Sequence, residues 1–207
     1  MHWYVEGGGD TKKLRIACRE GFARFLEKAG LKGHMPHIAA YGGRAATYDA
    51  FCTALRQKKG AMLLVDSEES VDFRYAQGES KDWHPWLYLA QRDGWPQPKG
   101  AEDLACHLMV QCMENWFLAD RETLHVFFGQ GYEVKKLPAV GNPIESVAKE
   151  TLYKALADAT RHCKTKAPYG KGEHSFQLLA KIDPAKVTAV SPWAARFMTT
   201  LKQVMGC

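Results

Sequence analysis

Apolar positions in the first half of the chain switch between two rhythms, and each switch marks an element. HWYV, residues 2–5, is a short aromatic and β-branched run that suits a buried strand. After Glu6, three glycines and Asp10 the spacing widens. Leu14, Ala17, Cys18, Phe22, Phe25 and Leu26 then fall on one helical face from about Lys12 onward. The pattern repeats: a strand is predicted over His37–Tyr41, and Gly42 and Gly43 break it. Ala46, Tyr48, Phe51, Cys52 and Leu55 form the inner face of a helix that Gly60 closes. A third strand, Ala61–Val65, runs straight into Asp66, Ser67, Glu68 and Glu69. A fourth is predicted over Ala105–Met113, before a helix that begins near Glu114. Strands alternating with helices predict an α/β fold, with a mainly parallel four-stranded sheet flanked by helices.

Beyond about residue 120 the pattern is helical, with helices predicted over Ile144–Thr160, Phe176–Ile182 and Pro192–Val204. Residues 70–100, dense in Trp, Pro and Gly, read as a long irregular loop over the sheet edge. The expected organisation is an α/β core over 1–120 and a helical extension over 121–207, packed as one unit. The 207 residues suffice for this, and an apolar fraction of 46% supplies a core. A net charge of +5 is compatible with a polyanionic partner without requiring one. Glu6 and Asp10 interrupt any apolar leader, and no apolar run is long enough to span a bilayer. A cytoplasmic protein with no membrane partner is expected. The six cysteines include no CxxC pair, which argues against a zinc ribbon and for buried, reduced thiols.

The acidic residues change the picture. In a parallel sheet, ligands bind beyond the carboxyl ends of the strands. Glu6 ends the first strand, and Asp66 and Glu68 end the third, so these carboxylates are expected on one rim. Unpaired, they would repel and raise one another's pKa values. Mg²⁺ or Mn²⁺, which prefer carboxylate oxygen, would remove that conflict. In extended backbone Asp66 and Glu68 point the same way, with Ser67 and Glu69 facing elsewhere. The alternatives are a polar loop after the strand, a solvent-facing Glu6 and Asp10 as a helix cap. Arg44, on the same rim, reads either as a bidentate phosphate clamp or as a surface arginine at a helix start. Glu114, at a predicted strand end, reads as a further metal-adjacent carboxylate or as part of a packed segment. Lys164, Lys166, Lys171 and His174 could grip a nucleic-acid backbone or lie in a solvated loop. Trp83, Trp86 and Trp95 could stack bases, anchor the long loop or form an interface.

YVEGGGD resembles the EGxxD opening of the Toprim domain of topoisomerases, primases and OLD-type nucleases, and LLVDSEE resembles its DxD strand. Glu68 here replaces the second aspartate. The Toprim resemblance covers about residues 1–115. Across the whole chain, EGGGD, GGRAATYDAF, MENWFLAD and KGEHSFQLL resemble a bacterial family, domain of unknown function 4276. That family is similar to Toprim proteins and often occurs beside an ABC-type ATPase in phage-defence-like gene pairs. The resemblance implies a Mg²⁺- or Mn²⁺-dependent nuclease acting on DNA or RNA. Glu6, Asp66 and Glu68, with Asp10 and Glu114, would hold one or two metals. Gly8 and Gly9 would let phosphate approach Glu6, and Lys171 or Arg44 would steady the scissile phosphate. The partners expected are nucleic acid and the ATPase, with a homo-oligomer left open. Two alternatives stand beside it: a non-catalytic partner subunit of the ATPase, and phosphotransfer on a small phosphorylated substrate.

Overall fold

Each of the apolar runs becomes a strand in the computed structural model, which describes residues 1–172 and 174–207. Glu173, inside the segment KGEHSFQLL, lies outside the described residues. β1 (His2–Val5), β2 (His37–Ala40), β3 (Ala61–Asp66) and β4 (Cys106–Met109) form one sheet in the order β2-β1-β3-β4. All three pairings are parallel, with Val5 opposite Ala40 and Leu64, and Asp66 opposite Met109. The fold is α/β, as the alternation of rhythms predicts.

Side-chain alternation along each strand feeds two apolar layers. Trp3, Val5, Leu64 and Met109 pack with Phe22 and Phe25 of α1 (Lys12–Leu26) on one face. Tyr4, Leu63, Val65 and Leu108 pack on the other with Phe51 of α2 (Arg44–Arg56) and Trp86 and Leu89 of α3 (Pro85–Asp93). The strands are therefore covered on both sides, which explains why they read as continuous apolar runs. The remaining helices are α4 (Arg121–Phe128), α5 (Lys149–Thr160), α6 (Ser175–Leu179), α7 (Pro184–Val190) and α8 (Pro192–Met205). The larger cluster joins Trp3 and Phe22 to Leu152, Leu178 and Phe197, so residues on either side of position 120 share one core. No helix among the described residues is long and apolar enough to cross a membrane.

Several elements differ from the sequence reading. Residues 70–100 are not irregular throughout, because α3 lies among them. Pro85 opens that helix at its first turn, and Gly94, with φ 70°, closes it in the left-handed conformation. β4 ends at Met109, and Met113–Ala119 forms a tight 3₁₀ segment. Asn115 draws this segment away from the sheet. Its side chain accepts from the Cys112 amide at 3.2 Å and donates to the carbonyls of Ile144 and Val147 at 2.7 and 2.9 Å. For the same reason α5 starts at Lys149 and not at Ile144. The short helices α4 and α7 carry too few turns to stand out as a periodic pattern.

Candidate functional site

The first crossover, through α1, lies on one face of the sheet and the next, through α2, on the other. The chain therefore reverses direction between β1 and β3, and such a switch point leaves a crevice beyond the carboxyl ends of the strands. Glu6 follows β1 and Asp66 ends β3. Glu6, Asp66 and Glu68 each present a carboxylate oxygen there, and these atoms lie within 4.8 Å of one another. Backbone groups fix two of the three: the Asp66 amide donates to Glu6 Oε2 at 3.0 Å, and Asp66 Oδ1 accepts from the Met113 amide at 2.9 Å. Glu6 does not face solvent, its side chain being 14% exposed.

Glu68 reaches the cluster by a route other than strand alternation. It lies beyond β3 with φ 70°, a left-handed conformation, and its amide donates to the Gln111 carbonyl at 2.8 Å. A turn, not a pleat, swings it back towards Asp66. Ser67 is buried, and its hydroxyl donates to the Glu69 carbonyl at 2.6 Å. Glu69 points away and pairs with Arg92 at 3.0 Å, as expected.

The glycines serve backbone packing first. Gly7 and Gly42 exchange amide-to-carbonyl bonds at 3.0 Å, tying the turn after β1 to the turn after β2. A Cβ on Gly8 would lie 2.6 Å from the Arg15 Cα, and one on Gly42 would lie 2.3 Å from the Gly9 carbonyl oxygen. Asp10 is exposed and stands outside the carboxylate cluster, although it borders the same crevice. Nor does it cap α1, because Thr11 Oγ1 accepts from the Leu14 amide at 3.2 Å.

Two cations face the carboxylates. Arg44 Nη1 lies 3.8 Å from Glu6 Oε2, while Nη2 pairs with Asp93 at 2.5 Å and the guanidinium stacks 5.0 Å from the Trp95 ring. It is held as a counterion to Glu6. Lys149, which sequence reasoning missed, places Nζ 2.5 Å from Glu68 Oε2 and 3.7 Å from Asp66 Oδ2. The two partners are 81 positions apart, and no local pattern links them.

Burial, partly offset by Arg44 and the Asp66 amide, pushes Glu6 up to about 7. Burial, then the charges of Glu6 and Glu114, push Asp66 well above the ordinary carboxylate range. Burial also opposes ionisation of Glu68, but the hydrogen bond and charge of Lys149 outweigh it and hold that group low. Two of the three carboxylates thus resist carrying charge beside one another. Three hard oxygen donors at this spacing could hold a divalent metal ion.

The crevice has a volume of about 410 Å³, with the glycine turn, Asp66, Glu114, Lys171 and Ser175 in its walls. Glu114 is 2% exposed but lies outside the three-carboxylate cluster. It accepts from Ser175 Oγ at 3.0 Å, Tyr153 OH at 3.1 Å and Tyr169 OH at 3.4 Å. Lys171 Nζ sits 5.0 Å from the centre of the Tyr153 ring. Lys166 instead lies over Phe127, and Lys164 is exposed, so neither lines the crevice. His174 is buried, and its Nδ1 accepts from the Gly170 amide at 3.1 Å. Trp83 and Trp86 are buried in the core. Trp95 contacts Arg44 and stacks on Tyr48, whose ring is 4.6 Å away and 6° from parallel. Trp83 and Trp86 anchor the segment in the core, and Trp95 is half-buried against Arg44 and Tyr48.

The family described as domain of unknown function (DUF4276) matches residues 5–202. The chain belongs to this family. No curated protein and no solved structure matches the chain. The family domain spans every group of the rim, from Glu6 through Lys149 to Lys171.

A pH dependence follows from Glu6. A carboxylate raised from 4.5 to about 7 stabilises the fold while protonated, fully below 4.5, and that contribution is lost as pH rises through about 7. A bound cation requires the proton to leave. The gain in melting temperature on adding Mg²⁺ is therefore expected to increase between about pH 6 and about pH 8. Equal gains at both values would show that Glu6 is not a ligand.

Proposed function

We propose that the protein is a Mg²⁺- or Mn²⁺-dependent, Toprim-like nuclease that cleaves phosphodiester bonds. The observation that carries this reading is the meeting of Glu6, Asp66 and Glu68 within 4.8 Å, beyond the carboxyl ends of adjacent parallel strands. A divalent cation bound there would supply Lewis-acid chemistry towards the scissile phosphate. Glu6, Asp66 and Glu68 hold it, with Asp10 at the mouth of the crevice and Glu114 in its wall. Arg44 balances the charge of Glu6. Gly8 and Gly9 border the crevice at the electropositive start of α1, where phosphate oxygens are favoured. Lys171, which also lines the crevice, steadies the charge that develops on the phosphate. Lys149 and Lys171 both come from beyond residue 120, so in this reading the helical part 121–207 completes a site founded on the core.

Membership of a family that is similar to Toprim proteins and often occurs beside an ABC-type ATPase in phage-defence-like gene pairs supports a cytoplasmic role beside such an ATPase. The test is incubation of the purified chain with single- and double-stranded DNA and RNA in Mg²⁺ or Mn²⁺, alone and with the co-expressed ATPase and ATP. Metal-dependent cleavage is expected. No cleavage under any of these conditions would favour a non-catalytic partner subunit. The crevice volume of about 410 Å³ also suits a second reading, phosphotransfer on a small phosphorylated substrate. Turnover of nucleotides with no attack on polymers would select it.

A further inference from the structure

Lys149 is built into the rim. Gln111 holds both sides of the Lys149–Glu68 pair: its carbonyl accepts from the Glu68 amide at 2.8 Å, and its side-chain oxygen accepts from the Lys149 amide at 3.3 Å. Asn115 fixes the approach to α5 through the carbonyls of Ile144 and Val147. The backbone of Lys149 is thereby set where its ammonium reaches Glu68 Oε2 and lies 3.7 Å from Asp66 Oδ2. Its side chain is 19% exposed, so water screens the pair only partly.

We propose that Lys149 is an internal counterion that competes with the divalent cation for Glu68 and Asp66 and so sets the metal affinity of the site. The proposal rests on the metal-site reading above. Mg²⁺ takes carboxylate oxygens at about 2.0–2.1 Å. The Glu68 oxygen 2.5 Å from the ammonium already has its charge neutralised in part, so it draws a divalent cation less strongly while Lys149 stays in place. Two cations drawn to the same oxygens also repel one another. Lysine suits this role because its ammonium is a point charge on a flexible stem, able to leave while its backbone stays fixed.

The test is an Mn²⁺ titration of wild type, Lys149→Met, Lys149→Arg and Asp66→Asn, read as bound metal by electron paramagnetic resonance. Circular dichroism melts verify folding. Lys149→Met is expected to bind Mn²⁺ roughly tenfold more tightly, since one repelling charge is gone. Lys149→Arg, which keeps the charge, should stay near wild type, and Asp66→Asn should bind none. A folded Lys149→Met with unchanged or weaker affinity would overturn the proposal. If that variant does not fold, amine labelling of Lys149 in wild type decides. Mn²⁺ should raise the labelling by releasing the ammonium, and unaltered protection would count against it. Wild type that binds Mn²⁺ and loses it in Asp66→Asn, with Lys149→Met matching wild type, sinks only the counterion role. Wild type that binds no Mn²⁺ removes the metal-site reading and this proposal together.

Discussion

Asp66→Asn is expected to abolish Mg²⁺ or Mn²⁺ binding and to lower cleavage more than about a hundredfold, while the fold survives. Residues that only orient metal ligands typically contribute 10–100-fold. Removing a ligand itself should cost at least as much. The fold survives because Asn keeps the oxygen that accepts from the Met113 amide, the bond that seats residue 66 beneath the rim. It also removes a charge that burial and the neighbouring Glu6 and Glu114 oppose, so the metal-free variant should be at least as stable as wild type at neutral pH. Asp66→Ala separates the two effects. It too loses the cation but strands the buried Met113 amide, at a cost of about 1–3 kcal/mol. Glu69→Ala, whose side chain pairs with Arg92 away from the cluster, should bind metal like wild type. Melting curves with and without Mn²⁺, beside a cleavage assay, distinguish these cases. Wild type and Asp66→Asn shifting equally with metal would end the assignment of Asp66 as a ligand.

The sheet is legible because its strands are apolar runs, the signature of strands covered on both faces. The bounds are sharp where glycine or carboxylate follows β1 and flanks β3, but not at β4. The same boundary disclosed Glu6 and Asp66, since a residue that directly ends a buried parallel strand must stand at the rim. Glu68 lies beside Asp66 by a route other than the one its spacing implies. Alternation put it beside Asp66, whereas the structure brings it there through a left-handed turn held by Gln111. What the local pattern could not disclose was pairing at long range. Nothing near Lys149 marks it as the partner of Glu68, and nothing near Arg44 tells a phosphate clamp from a guanidinium held by Asp93, Glu6 and Trp95. The tryptophan-rich segment misled for a related reason. Proline and glycine punctuation reads as loop, yet Pro85 and Gly94 mark the two ends of a helix whose Trp86 lies in the core.

Gly42→Ala is expected to destabilise the protein by more than about 4 kcal/mol, a loss reserved for a few severe mechanisms, and to weaken metal binding with it. Two such mechanisms act together here. Gly42 has φ 82°, where an L-residue pays about 1–2 kcal/mol. Its added Cβ would also meet the Gly9 carbonyl oxygen at 2.3 Å, and that atom is backbone that no rotamer change can move. Relief would require breaking the paired bonds between Gly7 and Gly42, which tie the turn carrying Glu6 to the end of β2. Glu6 would then lose its fixed position beside Asp66. Gly9→Ala is the control, with a similar left-handed φ of 50° but no atom nearer to its Cβ than Leu14 Cδ1 at 3.8 Å. It should therefore show only the conformational penalty of about 1–2 kcal/mol. Urea denaturation gives both differences from the midpoints at constant slope. Should Gly42→Ala match Gly9→Ala, the two turns would have room to part, and the Gly7–Gly42 bridge would not be what holds Glu6 at the rim.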